Sequence, residues 1–164
     1  MAWEEEFKQR MDGFSREGSG FPVSIKVRVD SGCFHREHSP NAYKMIGKVL
    51  RATTGDKFSF VEHESGPEIL AYIALTTAGV SLAASVINLV VTIIKARAEG
   101  IKKGDGAQYP IELIVRGFGN AGNLSEEKIL RFDPKDKVSK EIITKALQKA
   151  AKKITSTKKK SKGK

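Results

Sequence analysis

Cys33, His35, His38 and His63 are the sole cysteine and all the histidines of this 164-residue chain. A thiolate and three imidazoles are ligand types that suit zinc. Cys33-x-His35-x-x-His38 and His63 would meet if the strands preceding them were parallel neighbours sharing one edge. Cys33 beside His63 would also resemble a nucleophile with its base, a chemistry that further requires an oxyanion site. The spacing matches no familiar zinc module, and the four residues are read first as solvated loop residues. No cofactor and no catalytic residue is therefore expected; zinc is the metal this set would suit, and a Cys/His-dependent enzyme is a third-rank function. Gly117-Phe-Gly119-Asn-Ala-Gly122 matches GxGxxG literally. The dinucleotide fingerprint needs that loop to open a helix, whereas a strand-like segment follows, so the loop reads as a hairpin.

The other chemistry-bearing feature is positive charge. The net charge is +10, but residues 152–164 hold seven lysines and no acid, leaving 22 basic against 19 acidic residues elsewhere. Lys158, Lys159, Lys160 and Lys162 mark a disordered tail over 155–164 that could contact nucleic acid nonspecifically through phosphates. No aromatic is interleaved with them, so base stacking from the tail is not expected. Lys26 and Arg28 extend this alternative reading to a solvated sheet face. Phe58, Phe60 and Phe118 are expected to pack in the core.

These residues must be held by a fold. Trp3, Phe7 and Met11 at four-residue spacing predict a helix over 1–14, followed by a loop over 15–22. Val23, Ile25, Val27 and Val29 alternate with polar residues, as in a strand with one buried face. Ser39-Pro40 is a cap and first helical position for a helix to Ala52. Lys57–Glu62, Tyr109–Phe118 and Glu127–Phe132 read as strands, the last two as a hairpin. Lys137–Ile154 reads as the last helix. The expected fold is α+β, one domain over 1–154. Its four-stranded mixed sheet is covered on one face by helices, in the order α-β-α-β-α-β-β-α.

Between Ile69 and Ile94 the chain carries no charge for 26 residues. Ser65-Gly-Pro-Glu68 has the form of a capping box, predicting a long central helix over about 66–99. On it Ala74, Ala78, Ser81, Ser85 and Asn88 would form a seam of small residues open to close helix approach. A single-pass membrane span is the competing reading by length. Ser81, Ser85 and Asn88 near its middle argue against it, as does the acidic MAWEEEF start, which has no leader character. One cysteine suits a reducing compartment, and a cytoplasmic location is expected.

The segment from His63 to Phe132 runs capping box, long Ala/Leu/Val-rich helix, basic end, strand, glycine loop, strand. It resembles the effector-associated constant component domains of prokaryotic conflict systems. The resemblance implies a noncatalytic adaptor or regulatory role. The leading expectation is a soluble, non-enzymatic interaction module meeting another protein, or itself, through the central helix.

Overall fold

The computed structural model describes residues 2–15, 20–29, 33–53, 58–63, 65–77, 79–106, 109–118, 123–133 and 136–155. Its elements are α1 (Ala2–Ser15), β1 (Phe21–Val29), α2 (Pro40–Ala52), β2 (Phe58–Val61) and β3 (Glu68–Thr76). They continue with β4 (Gly79–Leu82), α3 (Ala84–Lys102), β5 (Ile111–Phe118), β6 (Leu124–Phe132) and α4 (Lys140–Thr155). The α+β class holds. The sheet has six strands rather than four, in the order β2-β3-β1-β5-β6 with β4 also on β3. Every pairing is antiparallel, so the sheet is not mixed.

The expected helix over 66–99 is not formed. Its first half is the β3–β4 hairpin, with Ala74 opposite Ser81, and helix begins only at Ala84. The cause lies in burial. Ile69, Ala71 and Ile73 enter the main core, while Glu68 and Leu70 are buried on the opposite side of the same strand. A strand covered on both faces loses the alternation that would mark it and reads like a buried helix. Ser65 caps nothing: its carbonyl accepts Val29 N–H at 2.7 Å, and the Pro67 carbonyl accepts Val27 N–H at 3.0 Å. Gly66 sits at φ +142°, and a side chain there would collide with the Val27 carbonyl oxygen. Only glycine allows this approach.

β1 lies at the centre. Val23, Ile25, Val27 and Val29 face the main core, made with α2, α3 and α4. Phe7 and Met11 of α1 pack with Leu70 in a second cluster on the opposite face, so helices cover both faces. Phe58 and Phe60 pack on the main core, as expected. Phe118 joins the second cluster, its ring 5.4 Å from that of Phe7. In α4 Ile143 and Ile154 are buried, whereas Ile142 is 56 % exposed. β5 and β6 form the expected hairpin, while residues 119–122 of its glycine loop lie outside the described residues.

α2 begins at the expected place by a different means. Ser39 makes no side-chain cap bond. Asp105, just past α3, accepts the backbone N–H groups of Asn41 (3.1 Å) and Ala42 (2.9 Å), and the Asn41 amide at 2.9 Å. This remote cap ties α2 to α3. Gly100 makes room for it: a methyl there would fall on Asp105 Oδ2 and lie 2.9 Å from Ala42 N. Asp105→Ala is expected to cost about 1–2 kcal/mol, the usual worth of a lost cap. Gly100→Ala is expected to cost about 1–3 kcal/mol through overpacking. Urea unfolding of both variants checks this, and unchanged midpoints would contradict the cap.

Candidate functional site

The anticipated seam is dispersed. Ala74 and Ser81 are exposed on the hairpin, Ser85 and Asn88 lie on α3, and Ala78 falls outside the described residues, as do Lys158, Lys159, Lys160 and Lys162. The Cys/His set is not gathered either. β3 lies between β1 and β2, so the two strands that were to bring the set together are not neighbours. His63 Nε2 is 3.1 Å from Glu68 Oε1, whereas the His35 ring nitrogens lie 3.9 Å from Glu37 and from Glu62. His38 is exposed and Cys33 half-buried. Among the described residues no three His, Cys, Asp or Glu side chains are placed to hold a metal ion. No described helix is long and apolar enough to cross a membrane.

Two polar clefts stand out instead. The first lies under α1. Lys26, expected in solvent, is 6 % exposed, and the face it occupies is partly roofed by α1. At its base Glu68 is fully buried, accepting Ser24 Oγ–H at 2.7 Å and Arg10 Nη2 at 2.9 Å, with His63 at 3.1 Å. Burial alone would raise the Glu68 carboxyl. The hydrogen bonds from His63 and Ser24 and the charges of Arg10 and Lys26 outweigh it and hold the pKa at about 2. Burial drives the Lys26 amine the other way, down to about 8; Glu68 opposes this, while Arg116, Arg10 and Arg28 add to it. Arg28 pairs with Glu112 at 2.8 Å and Arg116 lies 3.5 Å from Glu126. The cations of this cleft thus have carboxylates beside them.

The second cleft, about 580 Å³, runs along α2. Arg36, Lys44, Lys48, Arg51 and Lys103 line it, and among the described residues no acidic one does. Lys44, Lys48 and Arg51 follow one another at four and three residues, which places them on one side of the helix. Ala42 and Ile46 are buried on the other side. Lys103 is brought alongside by the Asp105 cap and by Asn41 Nδ2, which donates to the Lys103 carbonyl at 3.4 Å. Arg36 is held by Glu62 at 2.5 Å, with its guanidinium 5.3 Å from the Tyr43 ring centre. Lys44, Lys48, Arg51 and Lys103 have no acidic partner among the described residues. Four cations on one rim repel one another, an arrangement relieved by an arriving anion.

The chain carries a signal for this groove: from Ser39 to Gly55 there is no Asp or Glu, while Lys44, Lys48 and Arg51 recur at helical spacing. Comparisons with protein-family models, with curated proteins and with solved structures find no match to this chain.

Proposed function

We propose that this chain is a non-enzymatic binding module that seats the phosphate backbone of a nucleic-acid duplex in the groove along α2. The supporting observation is the lining of that groove, five cations and no carboxylate among the described residues. Phosphate contacts position a protein on a duplex without reading sequence. The groove offers no open aromatic platform: Tyr43 is buried, and its hydroxyl donates to the Phe34 carbonyl at 2.9 Å. Binding is therefore sequence-independent rather than base-stacking. A membrane surface suits the groove less well, because interfacial binding uses apolar side chains that insert, and this lining is concave and cationic. The adaptor role implied by the family resemblance remains compatible, with this groove rather than a helical seam as the contact surface.

The test is a titration of four labelled duplexes, two unrelated sequences each of DNA and of RNA, at low salt. Similar affinity for two sequences of the same duplex type supports the reading. No association with either type at about 50 mM salt, where nonspecific phosphate contacts are strong, would end it.

A further inference from the structure

The cleft under α1 carries a second, independent inference. Its volume is about 360 Å³, and its wall includes Arg10, Lys26, Arg28 and Arg116 with His63 and Ser65. Among the described residues the acids of that wall are Glu6 and Glu126, both exposed; Glu68 lies below, fully buried. Two donors are left underused. Arg10 Nε is buried with no hydrogen-bond partner, because Arg10 reaches Glu68 through Nη2. Lys26 Nζ, which can donate three bonds, makes one of 3.3 Å to the Gly66 carbonyl. Buried donors left short of acceptors are costly, and both belong to side chains lining the same open cleft. Glu68 does not complete them: its oxygens meet Ser24, Arg10 Nη2 and His63.

We infer that this cleft is a binding site for a small phosphate-bearing molecule, its phosphate oxygens accepting from Arg10 Nε and Lys26 Nζ. Phosphate fits because it presents several acceptor oxygens on one centre, and guanidinium groups match them in shape. The volume exceeds that of the bare ion, leaving space for a small organic group toward the rim at Glu6 and Glu126. The Lys26 amine, its pKa lowered to about 8 by burial and by three neighbouring arginines, holds its proton more firmly beside a dianion. This site faces α1, whereas the α2 groove lies on a helix packed against the opposite face of the sheet. The two readings therefore stand or fall separately.

The experiment is calorimetric titration of the full chain with inorganic phosphate, and with glycerol phosphate as a second arm, at constant ionic strength. Saturable one-to-one binding is expected. Lys26→Met, which keeps the stem but removes the charge, should lower affinity roughly 10- to 100-fold, the worth of one charge-assisted bond. Arg10→Lys should weaken it by removing Nε while retaining charge. The triple variant Lys44→Glu, Lys48→Glu, Arg51→Glu should bind phosphate as the parent does, which separates this site from the α2 groove. Tighter binding of glycerol phosphate would show that the organic group contributes; equal binding would assign the affinity to the phosphate alone. Absence of saturable binding in a folded parent, or affinity unchanged in folded Lys26→Met, overturns the inference. If Lys26→Met fails to fold, Arg10→Lys decides by the same criterion.

Discussion

Glu68→Ala is expected to destabilise the chain by about 3–5 kcal/mol, the cost of breaking a buried ion pair by removing one partner. Glu68 is fully buried and meets Arg10, His63 and Ser24 directly, with Lys26 close enough to feel its charge. Without it, Arg10 and Lys26 remain in the same pocket with no carboxylate at its base. Against a typical total of about 5–15 kcal/mol this is a large fraction, and the melting temperature should fall by roughly 10 °C or more. Thermal and urea unfolding measure both. Glu68→Gln retains an acceptor for Ser24 and should be milder. A loss below about 1 kcal/mol for the alanine variant would mean that Glu68 does not tie Arg10, His63 and Ser24 together as described.

The same carboxylate sets an acid limit. Its folded pKa of about 2 lies below the ordinary value of 4.5. A depressed carboxylate contributes stability that is full above the unfolded pKa and is lost as pH falls through the folded one. Glu68 therefore supports the fold above about pH 4.5, and its share, on the order of 3 kcal/mol, disappears between there and about pH 2. In Glu68→Ala this part of the acid dependence should vanish, leaving a flatter curve across that window. An identical curve in parent and variant would assign the acid limit to other groups.

The second large effect concerns the α2 groove. Reversing Lys44, Lys48 and Arg51 to glutamate should lower duplex affinity roughly 10²- to 10³-fold at moderate salt, since each lost phosphate contact is charge-assisted and each new charge repels. Lys44, Lys48 and Arg51 are all exposed, and none has an acidic partner among the described residues. Stability should change little, as for other surface substitutions. A binding loss with an unchanged unfolding midpoint is thus the expected pairing. An equal loss on converting Lys158, Lys159, Lys160 and Lys162 to glutamine, with the groove variant unaffected, would move the contact to the tail.

The contrast between legible and illegible parts of this fold follows from where partners sit. α2 and the β5–β6 hairpin were readable because the spacing of their apolar residues matches their geometry and needs no distant information. The β3–β4 hairpin was not, because Leu70 is covered by α1 and Ile69, Ala71 and Ile73 by the main core. Its apolar run thus carries no face signal. Ser39 holds the N-cap position of α2, as expected, but the first N–H groups are satisfied by Asp105, which lies 64 residues from Asn41 and arrives only through tertiary packing. Lys26 looked solvent-facing because it alternates with valine and isoleucine. A strand pattern gives which face a residue takes, not whether a helix covers that face. The zinc-suited residues failed to meet for the related reason that strand order, not strand identity, decides which loops adjoin.

The most direct measurement of the central claim is the slope of log affinity against log salt for the full chain binding a mixed-sequence DNA duplex. Four cations at the groove, Lys44, Lys48, Arg51 and Lys103, give an expected slope of about −4 from counterion release. The account predicts that slope to persist largely when the tail lysines become glutamine, and to collapse toward zero when Lys44, Lys48 and Arg51 are reversed. A slope that survives the groove reversal unchanged would contradict it.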